Sequence, residues 1–109
     1  MMNLHNAAKF EDCLVRIMDH YGYDNQVFEK LPEEVDELQE AFAIYFDKPS
    51  KEHWLHIVEE AADVHIMIEQ FKMLIKPEDK KEFDKICLEK VNREIQRIEK
   101  AGGAKYILK

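Results

Sequence analysis

The chain has 109 residues, of which 46% are hydrophobic and 36% are charged, and its formal net charge at pH 7 is −7. This length predicts a single domain over residues 1–109, and the composition is that of a folded, helix-rich protein. An acidic surface argues against non-specific nucleic-acid binding, which needs clustered cations, and against an anionic membrane surface. No stretch approaches the ~18 consecutive apolar residues of a membrane-spanning helix.

The two cysteines, Cys13 and Cys87, lie far apart in the sequence and form no C-x-x-C pair. Isolated cysteines of this kind favour an interpretation as packing thiols in a reducing compartment. A cytoplasmic location is therefore expected.

Hydrophobic periodicity predicts four main helices joined by short turns. The first runs from Asn3 to about Tyr21, and a loop over residues 21–25 precedes a short helical turn at residues 26–30. The second helix has Pro32 in its first turn, where proline is well tolerated, and it ends at about Phe46.

The third helix is predicted to begin after Ser50, a suitable N-cap, and to reach about Ile75. Pro77 lies in the first turn of the fourth helix, and the glycine pair Gly102 and Gly103 ends it. Because the turns are short, neighbouring helices should run antiparallel. The predicted fold is an all-α, four-helix antiparallel bundle.

The second and third helices carry the same acidic pattern. It comprises Glu33, Glu34 and Glu37 on the second helix and Glu59, Glu60 and Asp63 on the third. Residues three apart are neighbours on one helix face, so Glu34 pairs with Glu37 and Glu60 pairs with Asp63. At about 100° per residue, each pair should lie along the edge of an apolar stripe that faces the core. The stripes are Leu31, Val35, Leu38 and Phe42, and Ile57, Ala61, Val64 and Ile68.

Packing of the two stripes would bring together four carboxylates, those of Glu34, Glu37, Glu60 and Asp63. Crowding like charges is costly without compensation, and the simplest compensation is a divalent cation. Ligand sets made only of oxygen suit Mg²⁺, with Mn²⁺ as a substitute. The predicted cofactor is therefore Mg²⁺.

Glu33-Glu34-x-x-Glu37 followed by Glu60-x-x-Asp63 resembles the EExxE…ExxD signature of the MazG-like, all-α nucleoside triphosphate pyrophosphatases. The resemblance covers residues 31–71 well and the flanking helices loosely. It implies Mg²⁺-dependent hydrolysis of a (deoxy)nucleoside triphosphate, canonical or non-canonical, to the monophosphate and pyrophosphate. It also implies a MazG-like bundle completed by assembly into a homodimer or homotetramer.

In this interpretation the four clustered carboxylates bind the metal, and either Glu33 or Glu37 accepts a proton from the attacking water. Substrate contacts are expected from His56, which precedes Glu60 by one helical turn. The family also tends to carry basic and amide residues on the fourth helix, where this chain has Lys90, Asn92 and Arg93. An apolar patch in the tail, Tyr106 to Leu108, is expected to dock on a partner subunit.

Two other interpretations stay open. Within the same superfamily the substrate would be phosphoribosyl-ATP, although nothing in the sequence indicates a dedicated phosphoribosyl site. From a different class, the chain would be a non-catalytic helical interaction module whose acids only keep it soluble. A di-iron carboxylate bundle is disfavoured because the sequence contains no E-x-x-H motif.

Overall fold

The computed structural model describes residues 4–103. Over this range it has four α-helices, one π-helix and no β-strand. The helices are α1 (Leu4–Tyr21), the π-helix (Asn25–Lys30), α2 (Leu31–Asp47), α3 (Lys51–Leu74) and α4 (Pro77–Lys100). The all-α prediction is therefore confirmed. Asn3 and the patch at residues 106–108 lie outside the described residues.

The chain divides into two compact units, one ending at Leu74 and the other beginning at Ile75. The first contains α1, the π-helix, α2 and α3, and the second contains α4. The arrangement of all four helices as one antiparallel bundle stays a prediction. None of the described helices combines the length and apolar character needed to cross a membrane.

The break between α1 and the π-helix is much shorter than predicted. Only Gly22, whose φ is 94°, leaves the helical conformation. Its N–H donates to the Met18 carbonyl over 2.8 Å, and its own carbonyl accepts from Gln26 N–H over 3.1 Å. The predicted loop at residues 21–25 is therefore wrong beyond Gly22, because these flanking hydrogen bonds keep the chain helical on both sides of the glycine.

The π-helix passes directly into α2, since Lys30 and Leu31 both have helical backbone angles. Pro32 gives a physical reason for the wider turn. A proline inside an α-helix clashes with the carbonyl four residues earlier, here that of Phe28. Hydrogen bonding from i to i+5 spreads that turn and is found mostly as single turns within helices.

Helices α2 and α3 form an antiparallel hairpin around a short connection at residues 48–50. Ser50 accepts a hydrogen bond from the His53 N–H over 3.0 Å, so the predicted N-cap of α3 is confirmed. The π-helix packs against α2 and α3, and α1 packs against α3 and the π-helix. The buried apolar side chains of this unit are Leu14, Met18, Val27, Ala41, Ile57 and Met67.

Helix α4 ends as the sequence predicts. Gly102 has a φ of 89°, and the N–H of Gly103 reaches the carbonyl of Ile98 over 2.8 Å, as in a glycine-terminated helix. Cys13 on α1 and Cys87 on α4 are both exposed free thiols. The expectation that they are packing residues is wrong, because both side chains are exposed.

Candidate metal centre

Glu34 lies at the centre of the packed face of α2 rather than at its edge. Glu34 is 7% exposed, whereas its neighbour Val35, assigned to the core stripe, is 37% exposed. Ala41, two turns further along, is completely buried and allows close approach of α3. Two other residues assigned to the apolar stripes, Phe42 and Ala61, are exposed, so the packed faces differ in part from the predicted ones.

Three of the four predicted ligands meet at one point between the two helices. Glu34 and Glu37 from α2 and Glu60 from α3 each offer a carboxylate oxygen, and these oxygens lie within 4.8 Å of one another. Three negative charges at that separation repel one another strongly in a partly buried setting. We call these side chains together with Asp63 the carboxylate cluster.

Two oxygens in the cluster are buried without a hydrogen-bond partner among the described residues. They are Glu34 Oε2 on α2 and Glu60 Oε2 on α3. A buried acceptor that makes no hydrogen bond is costly and uncommon in native proteins. A bound cation or an ordered water explains such oxygens, and here the two belong to residues on opposite helices that share one acidic cluster.

The pKa of Glu34 is raised above its usual value of 4.5, first by burial and then by the negative charges of Glu37 and Asp63. A hydrogen bond with Glu37 raises it further, while Lys30 acts in the opposite direction. Burial and the nearby charges both disfavour the ionised form. The metal-free site therefore holds protons more readily than ordinary surface carboxylates do.

The pKa of Glu60 is raised as well, again mainly by burial and then by the charges of Glu37 and Asp63. His56 lowers it, since His56 Nε2 lies 3.3 Å from Glu60 Oε1. His56 thus contacts a cluster carboxylate, and the sequence expectation that it lies beside Glu60 is met. Its predicted contact with substrate stays a prediction.

Asp63 is half-buried and lies outside the group whose oxygens share the 4.8 Å limit. Its charge nonetheless raises the pKa of both Glu34 and Glu60. The four residues singled out from the sequence therefore interact electrostatically as one cluster. Asp63 therefore stands at the periphery of the cluster.

Glu33 is exposed and turned away from the three converging carboxylates. It lines a groove beside them together with Lys30, whose Nζ lies 3.6 Å from Glu34 Oε1. The sequence interpretation did not include Lys30. The available signal was its position four residues before Glu34, which places the two side chains on one helix face.

The predicted substrate residues Lys90, Asn92 and Arg93 lie on α4, in the second unit. Lys90 and Arg93 are exposed, and Asn92 is half-buried. Their part in substrate binding stays a prediction.

The donor set fits the predicted cofactor. It consists of carboxylate oxygens from two helices. Two of these carboxylates, Glu34 and Glu60, also have a buried oxygen without a hydrogen-bond partner among the described residues. Oxygen-only sets of this kind are the usual protein ligands of Mg²⁺ and Mn²⁺ rather than of softer metals.

These features define the class: an all-α protein with a partly buried carboxylate cluster between two antiparallel helices. No protein-family model matches the chain. Neither a curated protein nor a solved structure is significantly similar to it.

Proposed function

We propose that the protein is a Mg²⁺-dependent hydrolase that converts a (deoxy)nucleoside triphosphate to the monophosphate and pyrophosphate. The observation that carries this proposal is the pair of buried, unpartnered oxygens of Glu34 and Glu60 inside a cluster of converging carboxylates. The resemblance of the same residues to the MazG-like signature supplies the reaction. A purely solubilising acidic face would expose these oxygens to water instead of burying them.

Glu34, Glu37, Glu60 and Asp63 would hold the metal. When bound, Mg²⁺ would neutralise charge on the triphosphate and make a coordinated water more acidic. The chain's own residues orient the substrate so that a water oxygen attacks the α-phosphorus. The bond from that phosphorus to the bridging oxygen breaks, and pyrophosphate leaves. Glu37 or Glu33 accepts the proton that the water loses, and Glu37 is the better placed because it lies within the cluster.

The proposal includes a homodimer or homotetramer. Helices α2 and α3 leave large apolar side chains exposed, among them Phe46 at 72%, Trp54 at 50% and Leu55 at 54%. Exposed apolar surface of this extent usually marks a contact with another protein, and symmetric self-association is the commonest form. The proposal also places the protein in the cytoplasm, where free cysteines such as Cys13 and Cys87 are usual.

The test is pyrophosphate release from a panel of standard and modified nucleoside triphosphates, with Mg²⁺ and with a chelator. We expect metal-dependent release from a subset of the panel. Glu37→Gln should abolish turnover, whereas Glu40→Gln, which neutralises an exposed acid one turn further along α2, should leave it unchanged.

Three outcomes would contradict parts of the proposal. Retained turnover in Glu37→Gln and in Asp63→Asn would overturn the ligand assignment. If no triphosphate is cleaved by folded protein with bound metal, the substrate class is wrong and phosphoribosyl-ATP becomes the next substrate to test. If Mn²⁺ does not bind at all, the non-catalytic interaction module is the better account.

A further inference from the structure

A groove opens beside the carboxylate cluster, between the end of α1 and the π-helix. Its volume is about 440 Å³, and it is lined by Tyr21, Asn25, Gln26, Glu29, Lys30 and Glu33, among others. That volume lies within the range of about 300–1,000 Å³ that small-molecule sites occupy. We call it the Lys30 groove.

The groove borders the cluster through one of its lining residues, Lys30. Lys30 contacts the Glu34 carboxylate over 3.6 Å, yet 45% of its own side chain is exposed. The cluster carboxylates are not among the described lining residues of the groove, so the contact between Lys30 and Glu34 is what joins the groove to the cluster.

Lys30 alone is cationic among the described residues that line the groove. It precedes Glu34 by four residues, the less favourable order for a pair that stabilises a helix. In the metal-free protein its ammonium partly offsets the charge of Glu34. A divalent cation in the cluster would neutralise the charge of Glu34 instead. The Lys30 ammonium could then bind an anion where the groove meets the cluster.

The rest of the groove has a different chemistry. Glu29 and Glu33 are carboxylates, which repel phosphate but accept hydrogen bonds from hydroxyl and amino groups. Gln26 is only 8% exposed although its side chain is polar. Tyr21 is 59% exposed and presents an aromatic ring, a surface on which a nucleobase can stack. These groups suit a sugar and a base better than a phosphate.

We propose that the Lys30 groove holds the nucleoside of the substrate, and that the Lys30 ammonium binds its phosphate chain where the groove meets the carboxylate cluster. This inference rests on the proposed function. It assigns Lys30 a role in substrate binding that requires the metal first to relieve its pairing with Glu34.

The experiment compares Lys30→Gln with Lys48→Gln, which removes the same charge from an exposed site at the far end of α2. Lys30→Gln should raise the KM for the nucleoside triphosphate about tenfold or more, as expected for loss of a charge-assisted contact. Its affinity for Mn²⁺ alone should stay the same or increase, because a competing cation has been removed. Lys48→Gln should change neither quantity.

Inorganic tripolyphosphate distinguishes phosphate binding from nucleoside binding, because it has the phosphates without the nucleoside. Lys30→Gln should weaken inhibition by tripolyphosphate by about the same factor as it raises the KM. Tyr21→Leu should raise the KM and leave tripolyphosphate inhibition unchanged. Circular dichroism confirms that each variant is folded, and Lys30→Arg, which keeps the charge, should retain a KM near that of the wild type.

The inference is overturned if the wild-type protein cleaves a triphosphate and Lys30→Gln keeps a KM within about twofold of it. It is also overturned if Tyr21→Leu weakens tripolyphosphate and the nucleotide equally, because the groove would then hold phosphate. In both cases the proposed hydrolase activity stands. Absence of any cleavage by the metal-loaded wild type overturns the proposed function itself.

Discussion

Glu34 on α2 and Glu60 on α3 face each other across the helix hairpin, and each keeps one buried oxygen without a hydrogen-bond partner among the described residues. Both side chains have raised pKa values, mainly because of burial. A pair of this kind is strained in the absence of a cation and relieved in its presence. The stability of the protein should therefore respond to metal.

Added Mn²⁺ or Mg²⁺ should raise the melting temperature in a concentration-dependent way. A ligand that binds only the folded state contributes about 2.7 kcal/mol at a hundred times its Kd. The measurement is thermal unfolding at several metal concentrations and at constant ionic strength, with K⁺ replacing the divalent salt as the control. A Tm that rises equally with K⁺ would indicate general charge screening and contradict a specific site.

Glu34→Gln should make the metal-free protein more stable. The substitution keeps the shape of the side chain and removes one of three crowded charges, and substitutions that relieve functional strain commonly add about 0.5–2 kcal/mol. The same variant should lose most of its response to metal. Urea unfolding of Glu34→Gln and of the control Glu40→Gln, each with and without Mn²⁺, measures both effects. If Glu34→Gln is the less stable protein without metal, its charge is compensated within the chain.

The metal-free protein should lose stability as pH rises above 4.5. The folded-state pKa values of Glu34 and Glu60 lie above that usual value, so in this range the folded protein binds more protons than the unfolded chain does. Stability that depends on those protons is complete below 4.5 and is lost as pH passes through the raised values.

Saturating metal should reverse this trend, because metal binding requires the ionised carboxylates. Urea unfolding across a pH series, with a chelator and with Mn²⁺, measures how the free energy of unfolding changes with pH in each condition. In the double variant Glu34→Gln/Glu60→Gln both pH dependences should become weaker. If the free energy of unfolding changes with pH in the same way with and without metal, the ion binds away from these two residues.

Gln70→Met should stabilise the protein. Gln70 on α3 is completely buried, and neither its Oε1 nor its Nε2 has a hydrogen-bond partner among the described residues. Methionine has a similar length and no amide to desolvate, so the gain should be about 1–3 kcal/mol. Chemical denaturation measures it, with Gln39→Met on the exposed face of α2 as the control. A loss of stability would show that an ordered water satisfies the amide.

The helices were predictable from the sequence because their signals are local. Ser50 caps α3, Pro77 begins α4 and Gly102 ends it, and each signal depends on a few neighbouring residues. The acidic pairs were predictable for the same reason, since residues three apart share a helix face.

The rotation of α2 was not predictable from hydrophobicity. A scale that counts every glutamate as polar places Glu34 no further in than the edge of the packed face and places Val35 inside it, whereas the structure buries Glu34 more deeply than Val35. Hydrophobicity alone does not register that a potential metal ligand can face the core.

The π-helix was also missed, and Lys30 with it. Residues 26–30 were expected to form a short separate turn, but the helix is continuous into α2. Whether this turn adopts α or π hydrogen bonding depends both on Pro32 and on packing against α2 and α3. A local sequence pattern does not contain information about that packing.

The π-helix also determines how the residues on one side of the Lys30 groove are rotated, about the helix axis, relative to those on the other side. Tyr21 precedes the π-helix and Asn25 begins it, whereas Lys30 is its last residue and Glu33 lies in the first turn of α2. Removing one residue from this turn would let an ordinary α-helix form, and a helix advances by about 100° per residue. Tyr21 would then rotate away from Lys30, while the carboxylates of the cluster kept their positions. A single-residue deletion in this turn would thus uncouple the proposed nucleoside groove from the acidic centre without substituting a side chain in either.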